Sequence, residues 1–257
     1  MAEPIKVKGL VIRQVNYGDY DKMLTLLTEE LGKISVSAKG VRSMKSKNRA
    51  ASELLCFGEF ILNPPKGDVY SLSSAECIES FYHLRDDCVR LALGIYMADL
   101  AGHLSPEDMA MGLKVLLNCL YMLQDMEKDF NLVRIIYDLK ILKTSGFEPR
   151  TNSCVSCEAE DGPFAFSAVS GGVLCRRCAS LLGLKADNSR AIEFMDYILS
   201  APFTGAIFKS NVDSATLDKA TKYTESFISC HVTEQMKTLD YFKIFLIFYC
   251  IFTNFLK

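Results

Sequence analysis

The sequence lacks the motifs that most enzymes use for phosphate or acid–base chemistry. No G-x-x-x-x-G-K-[ST], H-E-x-x-H or G-x-S-x-G pattern occurs in its 257 residues. Histidine is scarce, and the three present, His83, His103 and His231, do not form the H-x-E and P-C-x-x-C pattern of a zinc deaminase. Carboxylate pairs such as Glu29-Glu30 lie in predicted turns, where acidic residues are ordinary. These absences favour a binding protein over an enzyme.

The sequence also lacks signals for export or membrane insertion. The first residues have no charged region followed by an apolar one, so no signal peptide is predicted. The apolar run Ile244–Phe252 is about half as long as a membrane-spanning helix, and we expect it to be buried in the core, with a non-native or frayed end as the alternative. We therefore expect a cytoplasmic protein without a membrane contact. Six of the ten cysteines occur singly and are expected to act mostly as small core residues: Cys56, Cys77, Cys88, Cys119, Cys230 and Cys250.

Charge is distributed unevenly along the chain. Residues 1–52 carry a net charge of +5, which leaves −7 for residues 53–257. Between Leu31 and Ser52 there is no acidic residue, and small residues separate six cations: Lys33, Lys39, Arg42, Lys45, Lys47 and Arg49. A flexible loop of this composition can approach a phosphate backbone closely, with Tyr17, Tyr20, Phe57 and Phe60 available to stack on bases. A merely solvated loop is the alternative.

The first 79 residues are predicted to form β-strands. Short apolar runs alternate with turn clusters rich in Gly, Pro, Asn and Asp, and no long helical pattern interrupts them. The predicted strands are Ile5–Val15, Met23–Thr28, Ile34–Ala38, Phe57–Leu62 and Val69–Leu72. Five strands favour an OB-fold barrel, and an SH3-like barrel fits the same pattern almost as well.

The pattern becomes helical from about residue 80. Helices are predicted near 87–102 and 129–145, and a third begins with a capping box at Ser105-Pro106-Glu107-Asp108. Helical patterning resumes after residue 187, so the intervening cysteine segment resembles an inserted module. We therefore predict an α+β protein in which an N-terminal five-stranded OB-fold barrel precedes an all-α domain. The predicted segments are 1–79 for the nucleic-acid-binding barrel, 80–149 with 182–257 for the helical domain, and 150–181 for the cysteine module.

Two C-x-x-C pairs, Cys154 with Cys157 and Cys175 with Cys178, are separated by 17 residues. Each pair can turn onto one metal ion, and the spacer reads as a two-stranded hairpin with a glycine turn, as in a zinc ribbon. We predict one structural Zn²⁺ on these four thiolates, with Arg150, Arg176 and Arg177 near enough to offset their charge. A closed shell of four cysteines leaves no coordination position for catalysis.

The chain resembles the bacterial recombination mediator family RecO. Four segments of the predicted barrel carry the resemblance: Gly9-Leu10-Val11-Ile12-Arg13, the turn Asn16-Tyr17-Gly18-Asp19-Tyr20-Asp21-Lys22, Leu26-Leu27-Thr28-Glu29-Glu30-Leu31-Gly32-Lys33 and Ala38-Lys39-Gly40-Val41-Arg42-Ser43. Two later segments add to it: Leu142-Lys143-Thr144-Ser145-Gly146-Phe147-Glu148-Pro149 and Lys237-Thr238-Leu239-Asp240. The family usually ends soon afterwards in a short polar tail, whereas residues 241–257 here are largely apolar.

The resemblance implies a recombination mediator in DNA repair that is not an enzyme. Such a protein binds single- and double-stranded DNA and anneals complementary strands coated with single-strand-binding protein, whose acidic C-terminal tail it also binds. With RecR it helps to load RecA, acting in the cytoplasm at the nucleoid. The implied DNA surface comprises Arg13, Lys33, Lys39, Arg42, Lys45 and Lys47, to which the basic segment adds Arg49. A zinc-ribbon protein–protein adaptor and a metal-dependent nuclease are the alternatives.

Overall fold

The computed structural model describes residues 3–186, 189–233 and 236–255, and the side chains up to Tyr249. Its strands are β1 (Ile5–Tyr17), β2 (Asp21–Thr28), β3 (Gly32–Ala38), β4 (Phe57–Lys66), β5 (Val69–Glu79), β6 (Phe164–Ser167) and β7 (Gly172–Cys175). Its α-helices are α1 (Cys88–Ala101), α2 (Met109–Leu123), α3 (Phe130–Thr144), α4 (Arg176–Leu181), α5 (Arg190–Ser200), α6 (Ser214–His231) and α7 (Lys237–Phe255). The predicted α+β class is confirmed.

The first five strands close into a barrel in the order β1-β2-β3-β5-β4, with β1 paired to β4. Alternate residues point inward, so that Leu24 and Leu26 of β2 and Val36 of β3 lie in a core with Phe60 and Leu62 of β4. The β3–β5 pair is parallel and the other pairs are antiparallel. This closed five-stranded barrel confirms the predicted N-terminal OB-like fold.

Several strands are longer than their apolar runs predicted. Strand β1 continues to Tyr17, and β4 continues through Pro64 and Pro65 to Lys66. The prolines lie where the β4–β5 register shifts, between the pairs Asn63–Ser71 and Lys66–Val69. Proline has no backbone N–H to donate to a ladder, and such an irregularity is where a strand tolerates it.

The chain divides into two compact units, Met1–Gln124 with Thr238–Lys257, and Asp125–Lys237. The barrel, α1, α2 and α7 belong to the first unit. Helix α1 starts as predicted, because the Asp87 side chain accepts hydrogen bonds from the N–H groups of Val89 and Arg90 at 2.8 and 3.2 Å. Helix α2 starts at Met109, three residues after the predicted position, because Ser105–Asp108 forms a tight turn in which Asp108 N donates to the Ser105 carbonyl.

The second unit is built on α3, which packs against α5 and α6. Every residue of α3 from Leu132 to Leu142 is buried, including Arg134 and Asp138. The Arg134 guanidinium lies 3.6 Å from the Asp138 carboxylate and donates to Glu225 of α6 at 2.7 Å. The buried cation is thus matched by two acids, which makes its desolvation tolerable.

The expected burial of the C-terminal apolar run is wrong for its described part. Phe242 is fully buried, yet Ile247 and Phe248 are 59% and 56% exposed. The start of α7 is tied to α1, because the Thr238 hydroxyl donates to the Asp99 carboxylate at 2.7 Å, whereas most side chains from Ile244 to Tyr249 are exposed. No helix among the described residues is long and apolar enough to cross a membrane.

The isolated cysteines have mixed environments. Cys56 and Cys119 are buried, as predicted, whereas Cys88 and Cys230 are exposed, which contradicts the prediction. The Cys56 and Cys77 sulfurs lie 3.0 Å apart, and burial raises the pKa of the Cys56 thiol above its ordinary value. The side chain of Cys250 lies outside the described residues.

Candidate metal centre and nucleic-acid interface

The four predicted zinc ligands come together in the second unit. The sulfur atoms of Cys154, Cys157, Cys175 and Cys178 all lie within 4.8 Å of one another. The Cys157–Cys175 distance is 3.6 Å, close to the roughly 3.8 Å between sulfurs of a tetrahedron with Zn–S bonds of about 2.3 Å. The four thiols therefore form a set that can hold a metal ion, and its chemistry is consistent with zinc.

Backbone N–H groups make this cluster a better ligand set. Burial raises the pKa of the Cys154 thiol, but hydrogen bonds from the backbones of Cys175, Ser156 and Cys157 outweigh it and bring the pKa to about 6. The backbone of Cys178 likewise lowers the pKa of Cys175. Because a metal binds the thiolate rather than the thiol, these donors prepare the sulfurs of Cys154 and Cys175 for coordination.

One of the three expected arginines contacts the cluster. The exposed Arg177 side chain hydrogen-bonds to the Cys157 sulfur, and this contact raises the pKa of Arg177. Arg177 lies on α4, a short helix that begins directly after Cys175 and also carries Cys178. The sequence analysis did not predict this helix. A cation in this position reduces the negative charge that four thiolates would concentrate on one metal ion.

The predicted hairpin between the cysteine pairs is confirmed. Strands β6 and β7 pair antiparallel, and Arg150 adds a parallel bridge to Gly172. Val173 N donates to the Arg150 carbonyl at 2.9 Å, and Arg150 N donates to the Gly171 carbonyl at 3.1 Å. Gly172 has a φ of 155°, and a Cβ there would lie 2.2 Å from the Arg150 carbonyl oxygen. Only glycine permits this close approach.

Gly172→Ala should therefore destabilise the second unit by about 2–4 kcal/mol, because the methyl group forces Arg150 away from the hairpin. Denaturant unfolding of the full chain measures this change. Gly171→Ala is the matched control: Gly171 has a φ of 86° but no atom within 4 Å of an added Cβ. The control should lower the free energy of unfolding by only about 1–2 kcal/mol, because alanine is disfavoured at a positive φ but meets no neighbouring atom. Equal losses would contradict the importance of the Arg150 contact.

Aromatic contacts join the hairpin to α6. The Phe166 ring of β6 stacks on the Tyr223 ring of α6, with 4.6 Å between ring centres. Within α6, the centres of the Phe227 and His231 rings are 4.3 Å apart. His231 Nε2 donates to the Ala168 carbonyl at 2.6 Å. The cysteine module is therefore packed against α6, so that disorder in the module would also remove contacts from the helix.

The second candidate site is the basic loop, residues 39–56, which joins β3 to β4. One end is tied to the β1–β2 hairpin: Gly40 N donates to Asp21 Oδ1 at 2.8 Å, and Arg42 N donates to the Tyr20 carbonyl at 2.9 Å. The Arg42 guanidinium also donates to the Gly18 carbonyl at 3.1 Å. The expectation of a flexible loop is therefore wrong at this end, because the hairpin fixes it.

The rest of the basic loop is anchored by Lys22, a residue that sequence reasoning missed. Lys22 is 7% exposed, and its Nζ donates to Gln14 at 2.7 Å and to Glu53 at 3.0 Å. Farther along, Asn48 Oδ1 accepts from Ala75 N of β5 at 3.1 Å. The alternation of inward and outward residues along β2 could have predicted its burial, since it places Lys22 on the same inward face as Leu24 and Leu26.

The structure places the predicted DNA-binding residues on β1, on β3 and along the basic loop. Arg13 is exposed on β1, in a cross-strand row with Thr25 and Ser35, and Lys39 and Arg42 begin the basic loop. Lys33 is exposed on β3, but its Nζ donates to the Gly102 carbonyl at 2.7 Å and so already has an internal partner.

Within the described ranges, three exposed side chains of the basic loop form no hydrogen bond or ion pair: Lys39, Lys45 and Lys47. Arg49 is exposed and donates to the Met44 sulfur at 2.8 Å. The three lysines are therefore the cations of this loop that are most available to an anionic partner.

The four candidate stacking residues divide into two pairs. Tyr17 and Tyr20 are 68% and 62% exposed at the tip of the β1–β2 hairpin. Phe60 is fully buried in the barrel core and Phe57 is half-buried, so Phe60 is not a stacking surface. Strand alternation explains the difference, because Phe60 points inward with Leu62.

Comparison with known families identifies the chain. Residues 1–81 match the family described as "Recombination protein O N terminal", and residues 85–240 match "Recombination protein O C terminal". The "DNA repair protein RecO" of Acetivibrio thermocellus is 31% identical over 244 residues, which cover 93% of this chain and 96% of that protein. The protein of the same name from Caldicellulosiruptor bescii is 33% identical over 247 residues, which cover 93% of this chain and 98% of that protein. The chain belongs to the RecO family.

Proposed function

We propose that this protein is a recombination mediator in DNA repair. It binds single- and double-stranded DNA, anneals complementary strands coated with single-strand-binding protein and, with RecR, helps to load RecA. It carries out no chemical step. Membership of the RecO family supports the role in repair, since curated relatives are named as DNA repair proteins.

The observation that carries the proposal is the basic loop on the barrel. Hydrogen bonds to Asp21, Tyr20 and Gly18 order its first turn, while Lys39, Lys45 and Lys47 stay free of partners among the described residues. Cations on a loop whose backbone is already anchored neutralise phosphates with a smaller loss of loop entropy. A surface that neutralises two strands at once lets complementary bases meet, which is the requirement for annealing.

The proposed DNA contacts comprise Arg13, Lys33, Lys39, Arg42, Lys45, Lys47 and Arg49. Lys33 would contribute least, because a phosphate must compete with the Gly102 carbonyl for its amino group. The loop lysines would contribute most, because each can contact a phosphate without breaking an internal bond.

We propose one structural Zn²⁺ on Cys154, Cys157, Cys175 and Cys178. The clustering of the four sulfurs within 4.8 Å and the backbone donors to Cys154 and Cys175 support this assignment. Four protein ligands fill the coordination shell of zinc, so the ion would hold the module together and would not activate water.

The remaining assignments follow the family. RecR and the acidic tail of single-strand-binding protein are proposed as protein partners, with RecA reached indirectly. The site of action is the cytoplasm at the nucleoid, because repair requires contact with the chromosome. We retain residues 1–79 as the DNA-binding barrel, 80–149 with 182–257 as the helical domain and 150–181 as the metal module.

Salt dependence tests the proposed function. Binding of a labelled deoxythymidine oligonucleotide, followed by fluorescence anisotropy, should weaken with a log–log slope of about −0.7 for each phosphate contact. Three lysine contacts alone predict a log–log salt slope of about −2. The oligonucleotide should stay intact during incubation with Mg²⁺ or Mn²⁺. A flat salt response contradicts phosphate binding, and sustained cleavage contradicts a protein without a chemical step.

A further inference from the structure

The tip of the β1–β2 hairpin combines exposed rings with an exposed apolar surface. Tyr17 ends β1 opposite Asp21, and Tyr20 lies in the turn that follows Gly18. Val15 is 49% exposed on the same strand, two residues before Tyr17. Met44 of the basic loop is 85% exposed. These exposed side chains lie on the hairpin and on the loop bonded to it, which makes this part of the barrel a candidate ligand surface.

The hairpin tip is joined to the basic loop by backbone contacts next to both tyrosines. The Tyr20 carbonyl accepts from Arg42 N at 2.9 Å, and the Gly18 carbonyl, adjacent to Tyr17, accepts from the Arg42 guanidinium at 3.1 Å. These bonds hold the backbone of the hairpin tip against the start of the basic loop. The fold therefore presents the two exposed rings and the exposed lysines on two segments that are bonded to each other.

We propose that Tyr17 and Tyr20 stack on unpaired bases and give this surface a preference for single-stranded over double-stranded DNA. The inference rests on the proposed DNA-binding function and adds the group that tells the two forms apart. Phosphates contact Lys39 and Lys45, while base faces cover the tyrosine rings. In a duplex the bases are already stacked inside the helix and cannot reach the rings, so only the phosphate contacts remain.

Charge favours a polyanion as the occupant, and the exposed tyrosine rings favour one that also presents flat base faces, as single-stranded DNA does. The basic loop carries exposed cations on the segment that is bonded to the hairpin, and the Asp21 carboxylate accepts a hydrogen bond from Gly40 N. Asp19 is exposed in the turn itself and repels phosphate. The phosphates therefore lie on the loop side of the tyrosines and the bases face the rings, with Asp19 at the outer edge.

Three ligands separate stacking from charge: single-stranded oligo-dT, an abasic strand with the same number of phosphates, and a duplex. The full-length protein should bind oligo-dT roughly 5- to 150-fold more tightly than the abasic strand for each stacked base. Tyr17→Ala with Tyr20→Ala should remove this preference and leave the affinities for the duplex and the abasic strand unchanged. Tyr17→Phe with Tyr20→Phe should keep it, because phenylalanine retains a ring.

The outcomes distinguish this inference from the proposed function. Equal weakening of all three ligands by the alanine pair, or no effect on oligo-dT, would overturn the stacking role while DNA binding stands. Failure of the unchanged protein to bind any of the three would overturn the proposed function itself. Because both side chains are exposed, the alanine pair should melt at the same temperature as the parent.

A direct spectroscopic test is available because the chain contains no tryptophan. Tyr20→Trp introduces a single indole at the proposed stacking position. Its emission should be quenched when oligo-dT binds and should change little with the abasic strand. Equal responses to both strands would show that no base lies on this ring and would overturn the proposal.

Discussion

Lys39→Glu, Lys45→Glu and Lys47→Glu together should weaken single-stranded DNA binding by roughly 100-fold at about 0.1 M salt. Each phosphate contact with a single strand contributes about fivefold there through counterion release, and three contacts are lost together. The salt slope should also become shallower by about 2. Anisotropy titrations over a range of salt concentrations measure both quantities.

The choice of these three lysines keeps folding separate from binding. Their side chains form no hydrogen bond or ion pair within the described part of the chain, whereas Arg42 and Lys22 anchor the basic loop. Lys114→Glu, Lys185→Glu and Lys222→Glu make the same change in net charge at exposed positions outside the barrel. If this control weakened DNA binding equally, overall charge rather than the basic loop would account for affinity.

Cys154→Ser should remove the metal and destabilise the second unit by at least about 4 kcal/mol. Structural zinc contributes an apparent free energy of about 10–16 kcal/mol in small zinc domains, because metal binding and folding are one process there. Cys154 is fully buried, and its module packs on α6 through Phe166 and Tyr223. Elemental analysis and thermal unfolding should therefore show a loss of zinc together with a lower melting temperature.

Cys230→Ser is the matched control for the metal centre. Cys230 is an exposed cysteine in the same unit and lies outside the cluster, so its replacement should leave both the zinc content and the melting temperature unchanged. An unchanged melting temperature for Cys154→Ser, after a measured loss of metal, would contradict a structural role for the ion.

Local pattern was sufficient to predict the parts of this fold that depend on neighbouring residues. Alternating apolar residues predicted the barrel strands, Asp87 and Asp129 marked the starts of α1 and α3, and paired cysteines predicted the cluster. Each of these signals lies within a few residues of the structure that it specifies. The glycine turn between β6 and β7 is of the same kind.

Contacts between distant segments were not predictable in this way. The basic loop looked flexible because the hydrogen bonds that fix it involve Tyr20 in the β1–β2 turn, Asp21 on β2 and Ala75 on β5, which are distant in sequence. The C-terminal run looked like core because its composition is apolar, yet burial requires a second surface. Lys22 carries a charge but lies inside, where Glu53 compensates it at 3.0 Å.

Annealing of complementary oligonucleotides that are pre-coated with single-strand-binding protein tests the central claim most directly. The purified, zinc-loaded protein should accelerate annealing without a nucleotide cofactor, and Lys39→Glu, Lys45→Glu and Lys47→Glu together should abolish the acceleration. The control with Lys114→Glu, Lys185→Glu and Lys222→Glu should behave like the parent. No acceleration by the folded, metal-loaded protein would contradict the mediator function, and acceleration that survives in the loop variant would contradict the basic loop as its site.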